Sequence, residues 1–248
     1  MKLLSANRKP VNVDEENPYW ISFSDIMSGL LILFILASMA LILELMQTRV
    51  KVSDAIEEIA KAEKVRQDIL HEIRAELLKK NVVVEISDNE TVLRIPDSQL
   101  TFSNNRYTIP EDEETRAAVL EIGKALYTAI TKEARQAYLD TIFIEGHTDS
   151  RPSNRNMGNW GLSTYRAISI WNYWNSEMGS GYTLENLTNS QGIPLFSMSG
   201  YAAQRRLCEQ EEDALCRARN RRIDIRFTVK RPTIKDVTDI RDLFKAEK

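Results

Sequence analysis

From Ile26 to Leu43 the chain carries no charged residue, and nearly all of these positions are Leu, Ile, Met, Ala or Phe. Between Glu16 and Arg49 the only charges are Asp25 and Glu44. A helix needs about 20 apolar residues to cross the hydrocarbon core of a bilayer. The stretch from about Trp20 to Met46 meets that length. A cleaved signal peptide fits poorly, because the run is too long and no small-x-small cleavage site follows it. Leu43, Glu44, Leu45 and Met46 are bulky or charged. The run therefore predicts an uncleaved transmembrane helix over 18–46. Asn17 and Pro18 suit a helix start, and Tyr19 and Trp20 suit an interfacial anchor. Lys2, Arg8 and Lys9 precede the span, while Arg49 and Lys51 follow it. The positive-inside rule tips narrowly toward a cytoplasmic N-terminus and a periplasmic C-terminal domain.

The rest of the chain changes character. Residues 1–17 are polar and aperiodic and read as a cytoplasmic tail. Residues 47–80 are charged and Ala-rich, without Gly or Pro. Their apolar stripe of Ala55, Ile59, Ala62, Ile69 and Ile73, interrupted by Arg66, predicts a helical linker. A plug or dimerisation segment paired with a second copy fits this stripe as well as a helix resting on its own domain. Residues 81–232 alternate strands (82–86, 91–95, 141–145, 195–199, 223–229) with helices (111–130, 163–177). That order predicts an α/β (α+β) sandwich, one sheet covered by helices. Residues 233–248 form a C-terminal tail. The net charge of -3 argues against a nucleic-acid binder. The basic run from Arg217 to Arg222 is short and offset by Glu209, Glu211, Glu212 and Asp213.

Asp25 lies about five residues into the apolar helix. An ionised Asp at mid-bilayer costs at least ~2.5–3.5 kcal/mol, so an acid there points to use. A carboxyl in low dielectric can alternate between protonated and ionised forms, as an ion carrier must. Ser22, Ser24 and Ser28 flank it with hydroxyls. The plain alternative is an acid solvated at the headgroup boundary. Glu44 is roughly 28 Å further along a helix, nearly a full core thickness, and reads as the outer interface.

The segment Tyr19-Trp20-Ile21-Ser22-Phe23-Ser24-Asp25-Ile26-Met27-Ser28 resembles the start of MotB-type stator subunits, with Asp25 at the ion-carrying position. The resemblance implies two copies of this chain inside a ring of MotA-like (ZorA-like) membrane subunits. Passage of H+, or alternatively Na+, past each Asp25 then drives rotation. A second set of motifs comprises Ile144-Glu145-Gly146-His147-Thr148-Asp149, Asn159-Trp160-Gly161-Leu162-Ser163-Thr164-Tyr165-Arg166-Ala167, Gly200-Tyr201 and Asn220-Arg221-Arg222-Ile223. In this order they resemble the OmpA-like peptidoglycan-binding domain over roughly 82–230. The peptide stem of peptidoglycan can end in diaminopimelate, which bears both an ammonium and a carboxylate. Asp149 at a strand end suits the ammonium, and Arg166 near a helix start suits the carboxylate through its planar fork. The resemblance makes these two the binding pair, with Thr148, Asn159 and Arg222 lining the pocket. The residues alone, without the resemblance, favour a structural Asp149–Arg166 ion pair. The loop from Ser150 to Gly158, with Arg151, Asn154 and Arg155, departs from the short version usual in that family.

The wording around Asp25 and the compact length look like the MotB-like subunits of Zorya anti-phage defence systems. A flagellar stator subunit is the alternative, and a passive OmpA-like wall anchor the second alternative. No enzyme is expected. His147 reads as a turn residue without a Ser or Cys nucleophile in a recognisable motif, and His71 as a solvated linker residue. No cofactor or metal is expected, since Cys208 and Cys216 lack a second ligand pair at zinc spacing. These two cysteines fit either a disulfide in an oxidising periplasm or two free thiols.

Overall fold

The computed structural model describes residues 18–231. The tails expected at 1–17 and 233–248, and Asn17 as a helix cap, lie outside the described residues. Helix α1 runs from Pro18 to Lys79. The chain divides into one unit ending at Asp54 and a second beginning at Ala55.

In the first unit, α1 is apolar all round. Its most apolar stretch has a mean hydropathy of 2.7, and none of it is buried. The helix is long and apolar enough to cross a membrane. A soluble surface helix would instead show one apolar stripe and one polar face.

In the second unit, the end of α1 has such a stripe. Ala62, Arg66, Ile69, Leu70, Ile73 and Leu77 are all buried, at the three- and four-residue steps of one helix face. Ile69, Leu70, Ile73 and Leu77 belong to the core of the α/β domain. Burying four such side chains contributes roughly 6–12 kcal/mol as an upper estimate. That is comparable with the whole net stability of a typical domain, about 5–15 kcal/mol. This stretch of the linker is thus part of the domain. Arg66 does not interrupt the stripe, because its Nε donates to the Glu90 carbonyl at 3.0 Å.

The domain continues with β1 (Glu85–Ser87), β2 (Val92–Pro96), α2 (Glu113–Thr131), β3 (Leu139–His147), α3 (Gly158–Glu177), β4 (Phe196–Gly200), α4 (Ala214–Asn220) and β5 (Arg222–Val229). The five strands form one sheet in the order β1-β2-β5-β3-β4. Only β3 and β4 are parallel, joined through α3. One face of the sheet presents Leu93, Ile95, Ile142, Ile144, Ile223, Ile225 and Phe227 to the core, where Val119, Ile122, Leu126, Ile170 and Trp174 of α2 and α3 meet them. Trp174 satisfies its buried indole N–H on the Val119 carbonyl at 2.7 Å.

The α/β sandwich expected from the sequence is the fold found, with local differences. Helix α2 begins at Glu113, because the Asp112 carboxylate caps it by accepting the Thr115 N–H at 2.8 Å. Helix α3 begins at Gly158, not Ser163. The chain enters it through left-handed Met157 (φ 62°) and Gly158 (φ 60°), with no side-chain cap to mark the start. His147 closes strand β3 and is buried, so it is not a turn residue. Helix α4 overlaps the basic run from Arg217 to Arg222, where the sequence pattern predicts no element.

Candidate ligand-binding cavity

The ends of β3 and α3 meet because two glycines let them. Gly146 and Gly200 pair across β3 and β4. A Cβ on Gly146 would collide with the Ser163 carbonyl, and one on Gly200 with Ser163 and Thr164. Helix α3 therefore lies directly on the sheet. Ser163, fully buried, accepts the Ala202 N–H at 3.0 Å and donates to the Trp160 carbonyl at 3.0 Å. This fixes the rotation of α3. Asn159, Leu162 and Arg166, at steps of three and four, line a cavity beside Asp149.

The cavity holds about 430 Å³. Asp149 and Thr148 form its β3 side, the loop from Thr101 to Asn105 faces them, and Arg151, Arg217 and Arg221 complete the wall. Four arginines thus surround one acid among the lining residues, which favours an anionic ligand. Arg166 is buried and touches no carboxylate. Its Nε donates to the Arg106 carbonyl at 3.0 Å, and its guanidinium lies 4.9 Å from the Phe102 ring centroid. Burial pulls its pKa down to about 10. A buried guanidinium that makes no direct ion pair, with the Asp97 and Asp149 charges only nearby, is a ready site for a carboxylate.

Asp149 is the opposite case. Arg151 grips both of its oxygens, with Nε at 3.2 Å from each and Nη2 at 2.7 Å from Oδ2. Arg221 adds Nη1 at 3.1 Å, while its other nitrogens hold Asp97. Burial pushes the Asp149 carboxyl up, but these arginines hold it below the ordinary carboxylate value. Asn159 donates to the Asp149 and Arg151 carbonyls at 3.3 and 2.9 Å, tying the loop to α3. Its own Oδ1 and the Thr148 Oγ1 are buried without hydrogen-bond partners.

The structure thus brings Asp149, Arg166, Thr148 and Asn159 together in the lining of one cavity. Asp149 and Arg166 each have other partners, so the structural ion pair between them does not form. Arg222 is placed elsewhere. As the first residue of β5 it points to the other face of the sheet, and Arg221, one position earlier, takes the cavity place. The alternation of a strand makes a one-residue slip a change of face. The 101–105 wall and Arg217 also escaped the sequence reading, since the fold alone brings them near Asp149. Cys208 and Cys216 form a disulfide with Cα atoms 5.4 Å apart. It closes the segment in which Glu211 accepts the Ser150 N–H at 2.7 Å.

The face of the sheet away from the core is a charged lattice. Arg94, Asp224 and Glu145 stand in cross-strand register. Asp224 receives Arg94 at 2.9 and 3.1 Å and Arg222 at 3.0 Å. Glu145 receives Arg226 at 2.9 Å and Arg205 at 3.4 Å. His147 sits among them, stacked on Tyr201 at 5.5 Å, with neither ring nitrogen hydrogen-bonded. Burial, and then Arg222, pull its pKa down to about 3. The donor atoms of Glu145, His147 and Asp224 lie within 4.8 Å of one another. The trio does not fit a cation, because both carboxylates are committed to arginines and the surrounding charge is positive.

In α1, the Asp25 carboxylate makes no hydrogen bond or ion pair among the described residues. Ser28 donates to the Asp25 backbone carbonyl at 2.9 Å, leaving the side chain unengaged. His71 is partnered rather than merely solvated, facing Glu90 at 2.9 Å.

Residues 101–221 match the OmpA family, and every residue lining the cavity falls within that stretch. This part of the chain is an OmpA-family domain. The chain is also similar to the Zorya protein ZorB of Escherichia coli O139:H28, with 27% identity over 144 residues, 55% of this chain and 53% of that protein. The match thus spans about half the length of that relative. Among solved structures, a putative MotB-like protein from Desulfovibrio vulgaris is 17% identical, covering 69% of this chain and 99% of that one, with a TM-score of 0.49. The cell wall anchor of the T6SS from Pseudomonas aeruginosa is 22% identical, covering 65% and 97%, with a TM-score of 0.45.

Proposed function

We propose that this chain is a stator subunit of an ion-driven motor in the bacterial inner membrane, anchored to peptidoglycan. One observation carries the reading. A single chain joins an unengaged acid in a membrane-length apolar helix to a basic cavity containing a buried guanidinium that makes no direct ion pair. Neither feature completes itself within the chain. In this reading Asp25 passes the ion, H+ with Na+ as the alternative, and MotA-like subunits ringed around a dimer complete its surroundings. The cavity takes the end of a peptidoglycan peptide stem, with Arg166 binding its carboxylate and Asp149 its ammonium. The N-terminus is cytoplasmic and the OmpA-family domain periplasmic. The chain binds and conducts without catalysing a reaction. Similarity to a Zorya protein favours service in a Zorya anti-phage system over a flagellar one.

The test compares wild type with Asp25→Asn, co-expressed with the MotA-like partner, by ion flux and phage plating. Loss of both, with the protein still in the membrane, supports the whole reading. Loss of flux from a complex that never protected against phage keeps the motor and removes the defence role. No change in either reduces the chain to a passive wall anchor.

A further inference from the structure

The cavity contains a cation of its own. Asp149 is only 4% exposed, yet both its oxygens are taken, chiefly by Arg151 from the β3–α3 loop. The Arg151 side chain is itself 56% exposed. A fixed acid is thus covered by a side chain with open solvent to swing into. Arg221 differs, because it is also tied to Asp97 through two nitrogens and stays in place when Arg151 leaves. The Arg151 backbone N–H also bonds Asp149 at 3.1 Å and keeps the acid oriented without the side chain.

We infer that Arg151 is a built-in competitor for the ligand's ammonium, and so sets how strongly the cavity distinguishes a stem peptide with a free terminal amine from one without. The inference rests on the wall-binding reading above. For an ammonium to reach Asp149, the Arg151 guanidinium must be displaced, and one cation–carboxylate contact is exchanged for another. The net gain from a free amine is therefore small in the wild type. Affinity then rests on Arg166 and the carboxylate, and the cavity accepts stems whose amine is blocked almost as well as those whose amine is free. Without the Arg151 side chain, Asp149 keeps only Arg221, and a ligand ammonium gains its full interaction.

The experiment measures binding of two synthetic stem tripeptides to the full chain in lipid nanodiscs. Both end in diaminopimelate, one with the side-chain amine free and one with it acetylated. The readout is the ratio of their two Kd values, which cancels any other part Arg151 plays in binding. The expected ratio is near unity in the wild type and in Arg151→Lys, and about tenfold larger in Arg151→Ala, as close charge pairs at interfaces allow. Asp149→Asn should return the ratio of Arg151→Ala to near unity. If wild type binds both peptides and Arg151→Ala leaves the ratio unchanged, or lowers it, Arg151 is no competitor and the wall-binding reading stands alone. If neither peptide binds and Arg166→Ala retains whole sacculi as wild type does, the wall-binding reading falls and this inference with it.

Discussion

Asp25 lies in an apolar helix and Asp224 in a buried charged lattice, and the chain treats the two acids differently. Asp224 is sealed on the sheet and met by Arg94 and Arg222. Asp25 lies on an apolar helix, and its carboxylate makes no hydrogen bond or ion pair among the described residues. An acid that the chain neutralises by itself serves the fold. Under the function proposed above, an acid that it leaves open meets a second molecule. Asp149 stands between them, held by Arg221 yet covered by a movable Arg151.

The contrast has measurable consequences. Asp25→Asn should reduce ion flux through the assembled complex to background, while the thermal midpoint of the OmpA-family domain stays within about a degree. A large drop in that midpoint would break the comparison. Asp224→Ala should do the reverse. It strands two buried guanidinium groups, which costs about 3–5 kcal/mol of stability, read from denaturant unfolding.

Acid should sharpen the contrast further. The folded state holds His147 neutral down to about pH 3, whereas an unfolded chain protonates it near pH 6.5. The unfolded state therefore binds more protons between these values. Stability is full above about 6.5 and falls on acidification, by on the order of 3 kcal/mol between pH 7 and 4. Asp224 and Asp149, whose values lie below the ordinary carboxylate range, add losses only at still lower pH. His147→Gln should flatten the upper part of this profile. The smallest effect belongs to the disulfide. Cys208→Ser should lower stability by about 2 kcal/mol through loop entropy. It should also weaken stem-peptide binding a few-fold, because Glu211 then holds Ser150 less firmly.

The sequence revealed the elements whose physics is local. The charge-free run, the five alternating segments and the Asn159–Ala167 motif all carry their own periodicity. It concealed what depends on partners distant in the chain. Arg66 reads as a break in a stripe until Glu90 supplies a carbonyl for it. Arg221 and Arg222 are indistinguishable by residue type, and only the first residue of β5 decides which faces the cavity. Met157 leads into a helix in a left-handed conformation that no side-chain cap announces. Arg151 looks like loop decoration until Asp149 is found beneath it.

The paired glycines at 146 and 200 carry one more consequence. They form a socket into which the backbone of α3 is pressed, so Asn159, Leu162 and Arg166 ride on one rigid bar. The cavity then behaves less like a set of independent contacts than like a jaw with one hinge pin. Its tolerance to change should be lowest at a point that touches no ligand. A single methyl added at Gly146 would lift the whole bar and open the jaw along its length.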